Sequence, residues 1–204
     1  MKPDLIRYKR YAIFLLNYIF KERIRGLDFT MRDMHLLKET DGQLHGYSIT
    51  PASTLEEIFR NLEIGAMDNF LDVGCGKGFV LWQASRQAKY RRITGIDIDE
   101  RLIRIANANI RKLKLDNVEA ICADAVNFDA YSEYNHLFFF NPFSAEVFKK
   151  VFDSIASKLD GRKITLIYYD PICDDYIRNT GKFVLNKKIY CRIRNYYTHI
   201  YESI

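Results

Sequence analysis

Apolar residues in this chain fall into short runs that alternate between two periods. Phe70–Val73, Arg92–Asp97, Val118–Ile121, His136–Phe140 and Lys163–Tyr169 are compact, largely apolar stretches of strand length. Between them, apolar residues recur at a three-to-four spacing: Val80, Leu81, Ala84 and Ala88, then Leu102, Ala106, Ile110 and Leu113. The segment Ser144–Leu159 repeats the pattern with Val147, Phe148, Val151, Ile155 and Leu159. That spacing marks one buried helix face, whereas an unbroken apolar run suits a strand covered on both sides. Lys182–Ile204 alternates loosely and is rich in Tyr, Ile and Val, which predicts an antiparallel strand pair with Asn186-Lys187-Lys188 as its turn. Ahead of the first strand, Ser53 and Thr54 each precede a glutamate by three residues, a capping-box arrangement that opens a helix running to about Leu62.

Composition narrows the class. A chain of 204 residues, 48% hydrophobic and 28% charged, has the profile of a folded soluble protein and the length of one domain with a substantial core. The net charge of +5 is spread along the sequence, which permits a nucleic acid partner without favouring one. The 14 Phe and 14 Tyr fall mainly in apolar runs and read as core, with stacking surfaces for bases as the alternative. Cys75, Cys122, Cys173 and Cys191 form no C-x-x-C pair, so neither a disulfide framework nor a metal site is expected, and a reducing cytoplasm fits. Tyr11–Phe20 is the most apolar run, bracketed by basic residues; it is too short to span a bilayer and reads as a buried helix, with a membrane-surface helix over residues 1–25 as the alternative. His35 and His45 have no metal-spaced companions, and His136 reads as a strand-end residue.

The organising stretch is Asn69–Gly78, NFLDVGCGKG: a strand, a loop with glycine at 74, 76 and 78, and a helix at once. This is the first half of a nucleotide-binding βαβ unit. A P-loop is excluded because Lys77 is followed by Gly78, not Ser or Thr. A dinucleotide fingerprint would need its third glycine where Phe79 stands, and Asp72 would lie unfavourably beside a pyrophosphate. The pattern is D-x-G-x-G-x-G. It resembles the first motif of the class I S-adenosylmethionine-dependent methyltransferases, whose cofactor is cationic and carries no phosphate.

The resemblance continues in order along residues 47–204 and implies a Rossmann-like α/β fold: a seven-stranded, mostly parallel sheet with an antiparallel last strand and helices on both faces. Residues 1–46 are left as an N-terminal helical extension or lid. Asp72, Gly74, Cys75, Gly76 and Gly78 are then cofactor-binding positions. Asp97, about 20 residues on from the glycine loop, is placed to accept from ribose hydroxyls, with Ile98 against the adenine face. Asp99 reads as the N-cap of the next helix. Asp124 and Ala125 match the position where the family meets the adenine edge, and Tyr47 and Thr50 match the segment that folds over the methionine end of the cofactor.

Asn141-Pro142-Phe143 sits where the family carries its fourth motif, beside the transferring methyl. There Asn141 is the catalytic candidate and Pro142 and Phe143 are substrate candidates, since an Asn carbonyl and the backbone carbonyl after it can accept an amine's hydrogens and aim its lone pair. The related motif of amine methyltransferases has two prolines and this one has one, so a strand-terminating turn is the competing reading. Similarity to seven-strand protein lysine methyltransferases suggests a protein lysine as first acceptor, ahead of a small metabolite or saccharide and then a nucleic acid base. Acceptor recognition falls to the N-terminal extension and the loops after Asn141 and Asp170. A non-catalytic cofactor-binding scaffold and a dinucleotide oxidoreductase are the rivals.

Overall fold

The computed structural model describes residues 18–29 and 49–204. Tyr47 and most of Tyr11–Phe20 lie outside the described residues, and a single π-helical turn spans Tyr18–Arg23. Among the described residues, no helix is long and apolar enough to cross a membrane.

Seven strands form one sheet: β1 (Asn69–Val73), β2 (Arg92–Asp97), β3 (Val118–Cys122), β4 (His136–Phe139), β5 (Thr165–Tyr169), β6 (Phe183–Cys191) and β7 (Tyr196–Ser203). Their order is β3-β2-β1-β4-β5-β7-β6. The first five pair in parallel, and β7 runs antiparallel to both β5 and β6. Among the described residues, five α-helices accompany the sheet: α1 (Ala52–Arg60), α2 (Phe79–Gln87), α3 (Glu100–Leu113), α4 (Ala145–Ser157) and α5 (Asp174–Asn179).

The central strands are apolar at most positions because successive side chains enter different cores. Phe70, Phe138, Ile167 and Tyr169 pack on the α1–α3 face, while Leu71, Val73, Leu137, Phe139, Leu166 and Tyr168 pack on the α4–α5 face. Burial on both faces is what parallel strands with crossover helices demand. Asp99 caps α3 as expected, accepting from the Arg101 amide at 2.8 Å.

Two local expectations are corrected. Asn186-Lys187-Lys188 is not a turn but part of β6, where the register shifts between Leu185 and Lys187; the extra residue makes a bulge. The chain reverses instead at 192–195, with Asn195 at φ 59°, a left-handed conformation that asparagine tolerates. The capping box is absent as well: α1 begins at Ala52 with Pro51 as its N-cap. Thr54 is thereby inside the first turn, and its hydroxyl meets the Cys191 thiol at 2.9 Å.

Gly95 in β2 has no room for a side chain: a Cβ would lie 2.6 Å from Cys75 Cβ and 2.7 Å from its Sγ. Overpacking of this kind costs about 1–3 kcal/mol. Gly95→Ala is therefore expected to lower stability by that amount in urea unfolding, whereas a loss under about 0.5 kcal/mol would show that Cys75 moves aside freely.

Candidate active site

The chain leaves β1 and turns at Gly74 (φ 81°), Gly76 (φ 53°) and Gly78 (φ 82°). Backbone amides lock the turn onto β2: those of Gly74 and Cys75 both donate to the Ile96 carbonyl, at 2.8 and 2.9 Å. The Gly76 amide donates to Asp97 Oδ2 at 2.9 Å, and the Asp99 amide donates to Asp97 Oδ1 at 2.9 Å. Gly74 is required by contact as well as by φ, since a Cβ there would lie 2.4 Å from Pro142 Cβ.

Around this loop lies a cleft of about 460 Å³ at the carboxyl ends of β1, β2, β4 and β5. The chain returns from the β1–β3 half to β4 at this point, which is where open α/β sheets take their ligands. Asp72, Gly74, Cys75, Gly76, Asp97 and Ile98 line one end, with Asp124 and Ala125 beside them. Ile98 is half exposed at 52%, an apolar face open to the cleft. Asp124 is already used by the protein: it accepts from the Val126 amide at 2.9 Å and from Asn127 Nδ2 at 2.6 Å. These bonds hold its carboxylate in place.

The cleft is acidic. Five aspartates line it (72, 97, 99, 124 and 170) against one arginine, Arg194, whose guanidinium donates to the Ile49 carbonyl at 3.0 Å. Asp72 is 3% exposed, and its Oδ2 has no hydrogen-bond partner among the described residues. Burial first, and the neighbouring Asp97 second, push the Asp72 carboxyl well above the usual carboxylate range. Burial also raises Asp97, against the pull of the amides that bond it.

At the other end, Asn141 follows β4 at φ 36° and Asp170 follows β5 at φ 57°. Left-handed backbone at non-glycine residues carries strain and often marks a functional position. Asn141 Nδ2 donates to the Asp170 carbonyl at 2.6 Å and to Asp170 Oδ2 at 3.1 Å, so the two residues fix one another. Pro142 lies over Gly74, and Phe143 is buried in the α4–α5 core while still bordering the cleft. Thr50 also lines the cleft, although it is buried at 1% exposure.

One sequence assignment lands elsewhere. Gly78 is not part of the cleft lining; a Cβ there would come within 3.3 Å of Ala106 on α3, so this glycine serves helix packing and the start of α2. Sequence reasoning in turn missed Asp170, Arg194 and Tyr196 as lining residues. An acid directly after a buried strand, the pattern that singled out Asp97, was a usable signal for Asp170. The position of Arg194 and Tyr196 depends on where the β6–β7 hairpin turns, which was misread.

Residues 64–200 match the family model described as a methyltransferase domain. The chain belongs to that family, and so to the class I, Rossmann-like, S-adenosylmethionine-dependent methyltransferases. An rRNA adenine N-6-methyltransferase of Limosilactobacillus reuteri is 29% identical over 54% of this chain and 45% of its own length. A ribosomal protein L11 methyltransferase of Thermotoga maritima is 29% identical over 42% of this chain and 32% of its own length. The chain thus spans under half the length of these curated relatives. An RNA methyltransferase from Salinibacter ruber, solved with S-adenosyl-L-homocysteine, shares the fold at TM-score 0.61 and 18% identity, over 76% of this chain and 94% of that one. The narrower similarity to protein lysine methyltransferases is not specifically supported by these matches.

The raised Asp72 carboxyl has a consequence for stability. Below the unfolded-state carboxylate value both states hold the proton; as pH rises toward the folded value only the unfolded state loses it, so stability falls with pH. Asp72→Asn is therefore expected to raise the melting temperature of the ligand-free protein at pH 7.5, with the gain fading to nothing near pH 3. A lower melting temperature at pH 7.5 would contradict a strained carboxylate.

Proposed function

We propose that the chain transfers a methyl group from S-adenosylmethionine to an amine nitrogen, with a protein lysine as the first acceptor to test. The observation that carries this reading is the Asn141–Asp170 pair at the opposite end of the cleft from Asp97. The residues fit the donor. A buried carboxylate oxygen without a partner, beside a second carboxylate, suits a cationic ligand and is hostile to a phosphate. When bound, S-adenosylmethionine supplies an electrophilic methyl on a sulfonium.

The remaining work falls to this chain's own groups. Asp97 keeps acceptor capacity beyond its two amide bonds for the ribose hydroxyls, and Ile98 offers an apolar surface to the adenine. Asp124 and the Ala125 backbone face the adenine edge in this reading. In this reading Asn141 accepts from the acceptor's N–H groups through its carbonyl oxygen, while Asp170 holds the Nδ2 end. Aiming a lone pair in this way is a positioning effect, worth as much as about 7–11 kcal/mol in favourable systems.

A second reading, transfer to an exocyclic amine of a nucleic acid base, is supported by Phe140 and Tyr196 in the cleft lining and by the rRNA-directed relative. Both readings share the amine. Aromatic faces and a planar –NH₂ favour the base; the acidic lining attracts a lysine ammonium, which must give one proton to solvent before its lone pair can take the methyl.

Calorimetric titration with S-adenosylhomocysteine is expected to show micromolar binding. Asp97→Ala should weaken it at least tenfold, about 1.4 kcal/mol. Asn141→Ala should leave that affinity within about threefold while lowering transfer of a radiolabelled methyl by roughly a hundredfold, about 2.7 kcal/mol on the barrier. Label in a cell extract that disappears with protease supports lysine, and label that disappears with ribonuclease supports the base. Unchanged product affinity in a folded Asp97→Ala protein would sink the ribose assignment.

A further inference from the structure

A short N-terminal segment, residues 22–29, is tied to the glycine loop through the Lys77 side chain and through Asn109. Leu27 and Phe29 are buried with Trp82, and the Phe29 and Trp82 rings stack at 5.2 Å between centroids and 3° between planes. Phe29 also meets the edge of Phe79, a cleft-lining residue, at 5.4 Å. Between these contacts, Asp28 Oδ1 accepts from Lys77 Nζ at 2.9 Å, with the lysine side chain 2% exposed.

Lys77 is the residue between Gly76 and Gly78. Asn109 on α3 joins it to the segment: one Nδ2 group donates to the Asp28 carbonyl at 2.9 Å and to the Lys77 carbonyl at 3.0 Å, and Oδ1 accepts from the Asp28 amide at 3.0 Å. A single side-chain amide therefore ties the segment and the loop to the same point on α3.

Glycine-rich turns have many accessible conformations, so fixing one requires contacts from outside the turn. On the cleft side the Gly76 amide is held by Asp97. On the reverse side the fixed points are the Lys77 carbonyl and ammonium. A loop held on both sides presents its amides and the Asp97 carboxylate already arranged for a ligand, so less ordering is lost on binding.

We propose that Asp28, acting through Lys77 and with Asn109 as the bracket, is a positioning residue for the cofactor loop, so that residues 22–29 belong functionally to the cofactor site without touching it. The inference rests on the cofactor reading above. It differs from a purely structural role in one respect: Asp28 acts on ligand affinity specifically through Lys77, not through the packing of Leu27 and Phe29.

The test is a double-mutant cycle read in S-adenosylhomocysteine affinity by calorimetry, on the full chain and well below the melting temperature. Wild type is measured first; failure to bind there overturns the cofactor reading and this inference with it. If wild type binds, Asp28→Ala is expected to weaken affinity at least fivefold. The same substitution in a Lys77→Met background is expected to change it less than twofold, because the interaction it removes is already gone. Equal losses in both backgrounds would mean Asp28 acts through general packing, and no loss in either would mean the segment does not reach the site; each outcome overturns the proposal while leaving the cofactor reading intact. Should Asp28→Ala not fold, Asp28→Asn, which keeps the shape and removes the charge, replaces it in both backgrounds. Amide hydrogen exchange supplies an independent readout: Asp28→Ala should speed exchange at Gly76 and Gly78 while the amides of β4 and β5 stay protected.

Discussion

Two carboxylates held out of water at the ends of adjacent strands set the terms for the rest of this structure. Burying an ionised group is costly unless hydrogen bonds or an opposite charge compensate. Asp97 receives two backbone amides, one from the glycine loop and one from the turn into α3. Asp72 Oδ2 receives nothing from the described residues. The difference assigns them different tasks. Asp97 organises the loop whether or not a ligand is present, while Asp72 retains an unfavourable charge environment that a cation in the cleft would relieve. The free protein is in that sense less stable than its packing allows.

The sheet explains why the two carboxylates meet. Asp72 is in register with Gly95 on one side and Phe138 on the other, so its side chain lies on the face shared with α1–α3. Gly95 leaves space that Cys75 fills as the loop folds back over β2. A larger residue at 95 would push the loop out and separate the Gly76 amide from Asp97. On the far side of β1, the return of the chain to β4 brings Pro142 onto Gly74. The cleft is thus defined by small residues at close approaches as much as by the polar residues that line it.

How much of this was legible beforehand follows from which interactions are local. Strand boundaries in the parallel region were readable because burial on both faces leaves runs that tolerate few polar residues; β2 runs over Arg92–Asp97, as its sequence implied. The order D-x-G-x-G-x-G, acid after β2, acid after β3, Asn after β4 was equally readable, because each element ends in a loop that reaches the same edge. The β6 bulge was not: Asn-Lys-Lys is turn-like in composition, and only pairing with the full length of β7 keeps it in the strand. Nor was the Asn109 bracket. Asn109 sits on a helix between Ala108 and Ile110, and its place in the sequence does not reveal which residues far along the chain it bonds at 2% exposure.

Long-range contacts of that type also separate the two halves of the site. The end proposed for the cofactor is anchored on β1 and β2, with Lys77 bonded to Asp28 behind it. The end proposed for the acceptor rests on a different pair of strands, with Asn141 and Asp170 each in a left-handed conformation and each holding the other. Pro142 against Gly74 is the contact through which one end touches the other. Chemistry at such a site depends on the distance between a donor bound at one end and a nucleophile bound at the other. That distance is set by the β1–β4 pairing, which continues unbroken from Phe70 opposite His136 to Val73 opposite Phe139. A rigid sheet between two separately anchored loops lets the acceptor-side loops differ in sequence without displacing the residues proposed to hold the donor.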